Sequence, residues 1–144
     1  MKFLKPKIVI SKCLEFDACR YDGQIINNIH IKKLKKYIDF YPVCPEVEIG
    51  MGVPRETIKI IENKNKTLLY QSETKKDFST KMNKFSKNYL NGLNDIDGFI
   101  VKSKSPSCGF KSAKVYQKKS GTLPIKKDNG LFTRNILSLF PDYP

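Results

Sequence analysis

The 144-residue sequence has no apolar run of about 18 residues, which a membrane-spanning helix requires. Its first ten residues interleave lysines with short apolar pairs and lack the unbroken apolar stretch of about 7 to 15 residues found in secretory signals. The four cysteines form no C-x-x-C pair, which argues against a zinc ribbon or a thioredoxin-like motif. The missing membrane span and secretory signal predict a cytoplasmic protein. The length of the chain predicts one domain over residues 1–144.

Acidic residues are also scarce. The chain has 14 Asp and Glu against 27 Lys and Arg, a formal net charge of +13, and its lysines are spread over the whole length. This charge favours an anionic partner such as nucleic acid, because phosphate contacts give affinity that does not depend on base sequence. An AT-rich coding bias would raise the lysine content without any such partner, so charge alone leaves both explanations open.

Three short apolar runs rich in β-branched and aromatic residues each end a few residues before a cysteine. The runs are residues 8–10, 41–43 and 99–101, and the cysteines are Cys13, Cys44 and Cys108. The first and third runs predict strands, and residues 29–38 have apolar residues near helical spacing. This order predicts a βαβ unit within an α/β fold, in which a mostly parallel sheet is flanked by helices.

The pattern of the remaining residues predicts a hairpin, two helices and a loop. The predicted elements are a hairpin of residues 57–61 and 67–70, a helix over 77–93, an exposed loop over 111–128 and a last helix over 131–140. Asp77 or Ser79 is the expected cap of the first of these helices. Pro141 closes the second.

The three cysteines after the apolar runs are predicted to meet. Ligands of open parallel sheets bind beyond the carboxyl ends of the strands, so Cys13, Cys44 and Cys108 are expected at one rim. Cytoplasmic thiols serve metal binding or catalysis more often than disulfides. Three thiolates suit an iron-sulfur cluster with one open iron. Zinc on four cysteines, with Cys19 as the fourth, and unligated thiols remain alternatives. The sole histidine, His30, lies in a predicted helix and is not expected to be a ligand.

Five blocks of the sequence resemble, in their order, the signature of the thiouracil desulfidase family. They are S-K-C-L at 11–14, C-R-Y-D-G at 19–23, V-C-P-E at 43–46, P-R-E at 54–56 and K-S-K-S-P-S-C-G at 102–109. The resemblance implies a Rossmann-like domain whose three cysteines, matched by Cys13, Cys44 and Cys108, hold a 4Fe-4S cluster with one open iron. Residues 45–56 and 130–134 are more similar to the two-domain branch that removes sulfur from 4-thiouridine in transfer RNA. The second domain of that branch would begin where this sequence stops.

The resemblance also implies roles for residues near the cysteines. Glu46 matches a catalytic glutamate and is predicted to transfer protons, with a helix-capping role as the alternative. Ser105 matches a position important for activity and is predicted to hydrogen-bond the substrate or the attacking water, with a turn serine as the alternative. Asp22 is a further candidate catalytic residue, in a loop equally suited to binding a base edge and to a structural turn.

Three basic residues are predicted to bind the substrate. Lys102 and Lys104 lie on the approach to the third cysteine block and could face phosphate, a negatively charged cluster or solvent. Arg55 is the third, although it could instead hold its own loop in place. Cys19 is expected to have no ligand role.

The sequence therefore predicts a 4Fe-4S-dependent, non-redox desulfidase that replaces the thiocarbonyl sulfur of a thiolated uracil by oxygen. The favoured substrate is 4-thiouridine in transfer RNA, with a separate RNA-binding subunit as a possible partner. Free thiouracil or a thiouridine nucleotide is the alternative substrate. An alternative of another class is a non-enzymatic module, either a zinc or iron-sulfur RNA-binding domain or a sensor.

Overall fold

A computed structural model describes residues 3–144 of the chain. In chain order the elements are β1 (Lys7–Ser11), α1 (Ile29–Leu34), β2 (Asp39–Val43), α2 (Pro45–Glu48), β3 (Lys59–Asn63), β4 (Lys66–Gln71), β5 (Lys76–Asp77), α3 (Ser79–Asn91), β6 (Gly98–Ile100), β7 (Ala113–Tyr116), β8 (Lys126–Asp128) and α4 (Leu131–Leu139). They form two sheets with the strand orders β2-β1-β6 and β5-β4-β3-β7-β8. None of the helices in the described residues is long and apolar enough to cross a bilayer.

The first sheet is parallel throughout. It confirms the strands predicted before Cys13 and Cys108, and β2 before Cys44 is the second strand of the predicted βαβ unit. β1 is its central strand and pairs with β2 from Lys7 opposite Asp39 to Ser11 opposite Val43. Its other neighbour is β6, with which it also runs parallel. Val9 and Ile10 point to opposite faces of the sheet and are both buried, in two different apolar clusters. Burial of both faces explains why β1 is a continuous apolar run rather than an alternating one.

Helix α1 connects β1 to β2 and is shorter than predicted. Asn28 caps it, because its side-chain oxygen accepts hydrogen bonds from the backbone N–H groups of His30 and Ile31. The helix ends at Leu34, whereas the sequence pattern predicted a helix to residue 38. Ile31 is the only buried residue of α1, so little apolar packing is available to extend the helix.

The second sheet contains the predicted hairpin and overturns the loop predicted over residues 111–128. β3 and β4 pair antiparallel around a two-residue turn, which confirms the hairpin. Residues 113–116 form β7, which pairs parallel with β3, and β8 adds the outer edge. Ala113 and Val115 are fully buried while Lys114 between them is exposed, an alternation too short to stand out in a lysine-rich segment.

The main core joins both sheets to α3 and α4. Its fully buried side chains include Ile60, Leu69, Met82, Leu90 and Phe132. Helix α3 begins at Ser79, whose backbone N–H donates to the Asp77 carboxylate at 2.9 Å. The α/β class predicted from the sequence is confirmed, with a small parallel sheet and a larger mixed sheet in place of one mostly parallel sheet.

Candidate metal centre and active site

The carboxyl ends of the three parallel strands are tied together by two hydrogen bonds. The Lys12 N–H donates to the Val43 carbonyl at 2.9 Å, which joins the end of β1 to the end of β2. The Lys102 N–H donates to the Ser11 hydroxyl at 2.8 Å, which joins the end of β6 to the end of β1. The loops that carry the three predicted ligands therefore leave the sheet at one edge, as the strand-end argument predicted.

All four cysteines line one cavity of about 260 Å³ at this edge, which we call the cysteine cavity. The cysteines are Cys13, Cys19, Cys44 and Cys108. Within residues 3–144, no three His, Cys, Asp or Glu side chains are grouped closely enough to hold a single metal ion. Thiolates are ligands of iron-sulfur clusters and of zinc ions, so the chemistry of this donor set fits a cluster.

Cys19 contacts two of the other three cysteines. The Cys44 thiol donates to the Cys19 carbonyl at 3.8 Å, and hydrogen bonding with the Cys19 thiol lowers the pKa of Cys13. The same contact raises the pKa of Cys19 to about 11. Burial raises the pKa of Cys108 to about 12. Thiols with raised pKa values carry their protons at neutral pH, so metal binding at this site has to release protons.

The loop that carries Cys108 rests on the first turn of α4. The Leu131 and Phe132 N–H groups donate to the carbonyls of Pro106 and Ser107 at 3.0 and 2.9 Å. The Thr133 hydroxyl donates to the Cys108 carbonyl at 2.6 Å. Helix N–H groups that have no partner within the helix are thus satisfied by the Cys108 loop, which fixes the Cys108 backbone.

Gly130 provides the space for this contact, and its replacement tests it. A Cβ atom at position 130 would lie 2.4 Å from the Ser107 carbonyl carbon, a backbone atom that cannot move aside alone. We expect Gly130→Ala to lower the free energy of unfolding by about 1–3 kcal/mol, as forced overpacking does, measured by urea denaturation. Gly92→Ala is the matched control, because a Cβ there would have its nearest contacts at 3.5 Å. An equal decrease in the free energy of unfolding in the two variants would contradict the close contact proposed for Gly130.

Glu46 is held at the cavity wall by two donors. The Arg55 Nε donates to Oε1 and the Ser107 hydroxyl to Oε2, each at 3.0 Å. The Glu46 side chain is 13% exposed and Arg55 is 4% exposed. A carboxylate has about four lone-pair positions, so two acceptor positions of Glu46 remain for other partners.

Arg55 lines the cysteine cavity and is held by several protein acceptors, with its Nη2 4.0 Å from the Cys44 sulfur. Besides Glu46, its guanidinium donates to the backbone carbonyls of Cys19 and Gly52, both at 2.9 Å. These contacts join the loop after α2 to the loop that carries Cys19. The geometry therefore gives Arg55 a positioning role at the site. Because Arg55 also lines the cysteine cavity, its predicted contact with substrate stays a prediction.

Ser105 also lines the cysteine cavity and supports the ligand loop. Its hydroxyl oxygen accepts hydrogen bonds from the N–H groups of Ser107 and Cys108, at 3.1 and 3.0 Å. A serine hydroxyl has two acceptor lone pairs and one proton. Both lone pairs are used, so the proton of Ser105 is the part that can be donated to another group. Ser105 can therefore stabilise the turn before Cys108 and still donate its hydroxyl proton to the substrate or to water.

The basic residues predicted near the substrate lie on the rim of the cavity. Lys102 and Lys104 both line it, as does Arg20. Burial and the neighbouring charge of Arg20 lower the pKa of Lys102. Asp22 is not among the lining residues; its carboxylate accepts from the Gln24 N–H at 3.0 Å and lies 3.8 Å from Arg20. The structure thus gives Asp22 a turn-forming role and no contact with the cavity.

Sequence reasoning missed one residue of the site. Ser107 is completely buried and donates to Glu46, a contact between positions 61 residues apart. It belongs to the S-P-S-C block, but nothing in that block indicates which of its two serines faces the carboxylate. Only the fold, which brings α2 beside the Cys108 loop, separates their roles.

Comparison with known proteins defines the class of this α/β domain. Residues 8–144 match the family described as 2-thiouracil desulfurase, and the chain belongs to that family of enzymes. It is 30% identical over 132 residues to the Bacillus subtilis (strain 168) protein described as uncharacterized protein YbbK, covering 85% of this chain and 83% of the relative. The family predicted from the five sequence blocks is confirmed.

A solved structure confirms the fold. It is that of TudS, described as a 4Fe-4S-dependent thiouracil desulfidase, and it matches with a TM-score of 0.72 at 24% sequence identity. The match covers 94% of this chain and 87% of TudS. The α/β architecture predicted from the sequence is therefore the architecture of that structure.

Proposed function

We propose that the chain is a desulfidase that uses a 4Fe-4S cluster, held by Cys13, Cys44 and Cys108, to replace the sulfur of a thiolated uracil by oxygen. The observation that carries the proposal is the convergence of these thiols, one after each strand of the parallel sheet, on a cavity that also holds Glu46. Membership of the 2-thiouracil desulfurase family supports the reaction type. The description of TudS as 4Fe-4S-dependent supports the choice of cofactor.

The cysteines fit such a cluster in number and in chemistry. Thiolates are the usual ligands of iron-sulfur clusters, and three of them leave one iron without a protein ligand. When bound, the cluster supplies that iron as a Lewis acid for the thiocarbonyl sulfur. The overall reaction exchanges C=S and water for C=O and hydrogen sulfide, so atoms balance and no electron donor or acceptor is required.

Glu46 is the proton-transfer group in this proposal. Arg55 and Ser107 hold its carboxylate at a fixed place on the wall of the cavity, two residues after Cys44. Its remaining lone pairs can accept a proton from an attacking water, which is the role of a general base. Ser105 can donate its hydroxyl proton to the substrate because its lone pairs are already engaged.

The favoured substrate is 4-thiouridine in transfer RNA. The formal charge of +13 and the lysines on the rim of the cysteine cavity support a polyanionic substrate. Because each phosphate contact releases counterions, the apparent affinity for the RNA should fall steeply as salt concentration rises. An affinity that does not depend on salt would favour the alternative substrates, free thiouracil or a thiouridine nucleotide.

The proposal is tested by anaerobic incubation of the reconstituted protein with 2-thiouracil, 4-thiouracil, 4-thiouridine monophosphate and thiolated transfer RNA, with sulfide release as the readout. We expect sulfide and the oxygenated base in equal amounts from at least one substrate. The protein should be brown, with broad absorption near roughly 400 nm. A colourless protein that binds one zinc ion and releases no sulfide would instead support the non-enzymatic RNA-binding module.

A further inference from the structure

The block C-R-Y-D-G at residues 19–23 contributes a side chain that the proposed reaction does not use. Cys19, Arg20 and Tyr21 line the cysteine cavity, whereas Asp22 does not. Among the described residues that line this cavity, Tyr21 is the only aromatic one. A uracil ring is flat and conjugated, and such rings pack favourably on an aromatic face. The ring of Tyr21 is therefore the one aromatic surface of the cavity wall on which the substrate can stack.

The backbone around Tyr21 is fixed by two hydrogen bonds. The Gly23 N–H donates to the Arg20 carbonyl at 2.8 Å, which closes a turn around Tyr21. Gly23 has a φ of +76°, a conformation that favours glycine. The Arg55 N–H donates to the Tyr21 carbonyl at 2.8 Å, which ties this turn to the residue that holds Glu46. Because the backbone is already in place, little conformational entropy is lost when a ligand packs on the ring.

One face of the Tyr21 ring is covered by Arg20. The guanidinium carbon of Arg20 lies over the ring, 5.6 Å from its centre, and its Nη1 lies 3.8 Å from the Asp22 carboxylate. Asp22 thus orients Arg20 against the ring. Tyr21 nevertheless remains 43% exposed, so the opposite face of the ring is available to a ligand. Aromatic rings with an open face are the surfaces on which proteins stack single nucleobases.

We infer that the uracil ring of the substrate stacks on Tyr21, and that this residue selects planar, conjugated thiocarbonyl compounds over saturated ones. The inference rests on the proposed function for the nature of the substrate. A saturated ring of the same composition keeps the carbonyl and N–H groups of uracil, but it is puckered and cannot lie flat on a tyrosine ring. Hydrogen bonds from the cavity wall therefore do not separate the two kinds of compound, whereas stacking does.

Binding of uracil, the product of the proposed reaction, tests the role of Tyr21 without turnover. Equilibrium dialysis is performed on the cluster-loaded protein with radiolabelled uracil and with dihydrouracil, which differ only in the saturation of one carbon-carbon bond. We expect the unaltered protein to bind uracil more tightly by about fivefold or more. Tyr21→Leu should weaken binding of uracil by about tenfold, within the range that base stacking supplies, and should make the two ligands bind equally. Tyr21→Phe retains the ring and should retain both affinities.

Tyr37→Leu is the matched control for the loss of an aromatic ring. Tyr37 is 60% exposed, has the Lys36 ammonium 5.1 Å from the centre of its ring and does not line the cysteine cavity. Its replacement removes a similar pair of ring and cation from the surface and should leave binding of uracil unchanged. Equal affinities of the unaltered protein for uracil and dihydrouracil, or equal losses of affinity in Tyr21→Leu and Tyr37→Leu, would overturn the inference.

Sulfide release separates this inference from the proposed function. Steady-state release from 4-thiouracil is measured for the unaltered protein and for Tyr21→Leu. We expect KM to rise by about tenfold and kcat to stay within about twofold, because stacking is present before and during the reaction. An unchanged KM would overturn the role of Tyr21 and leave the proposed function standing. If no thiolated uracil releases sulfide while uracil still binds more tightly than dihydrouracil, the proposed function is refuted and the stacking role stands.

Discussion

Cys108→Ala yields a protein that folds but remains colourless after anaerobic reconstitution with iron and sulfide. Cys108 is 6% exposed at the cavity wall, and the loop around it is held by α4 and Ser105 through backbone atoms that alanine retains. The loss of the cluster in this variant should therefore result from removal of the thiolate alone. Iron content and the absorption near roughly 400 nm measure the result, and circular dichroism checks that the fold survives.

Cys19→Ala is the matched control for the removal of a thiol. Cys19 lines the same cavity, but it is not one of the three predicted ligands, and Arg55 holds its backbone carbonyl rather than its sulfur. We expect this variant to retain the colour and iron content of the unaltered protein. A colourless Cys19→Ala protein together with a brown Cys108→Ala protein would show that the wrong three ligands had been assigned.

Glu46→Gln retains the cluster and loses turnover by about 100-fold or more, the range that general acid-base groups supply. Glutamine preserves the size of the side chain and can still accept a hydrogen bond, but it cannot take up a proton from water at neutral pH. The change should therefore appear in kcat, with a smaller effect on KM. Steady-state sulfide release, normalised to iron content, measures both constants.

Glu48→Gln provides the control for Glu46→Gln. Glu48 is an exposed acid at the end of the same short helix α2 and does not line the cysteine cavity. Its replacement removes the same charge from the same element and should leave kcat within about twofold, as surface substitutions do. If both variants lose activity equally, the charge of α2 rather than the Glu46 carboxylate is responsible.

The convergence of the cysteines could be predicted because it depends on strand order alone. The apolar runs before Cys13 and Cys108 are distinct in the sequence, and parallel strands place their carboxyl ends at one edge. Of the second sheet, the hairpin β3–β4 could be predicted from the sequence, whereas β7 and β8 could not. β8 consists of two lysines and an aspartate and is held by main-chain pairing with β7 and by the ion pair of Lys126 with Glu62 at 2.8 Å. Such a strand has no apolar pattern to detect.

The partners of Glu46 could not be predicted either. Arg55 lies nine positions after it, and only the path of the intervening chain brings the two side chains together. Ser107 comes from a different strand-end loop. The predicted role of Asp22 came from a sequence block, which records that a residue type occurs at a position without showing whether it faces the cavity; Asp22 does not line it, whereas Arg55 does.

In the proposed desulfidase, where Cys108 is a cluster ligand, the contact between the Cys108 loop and the first turn of α4 makes retention of the cofactor depend on a distant part of the chain. Fraying of that turn would free the carbonyls of Pro106, Ser107 and Cys108 together, because all three accept hydrogen bonds from it. The amide protons of Leu131 and Phe132 should then exchange with solvent in step with cofactor loss. Hydrogen exchange at the last helix would thus report how firmly the protein holds its iron.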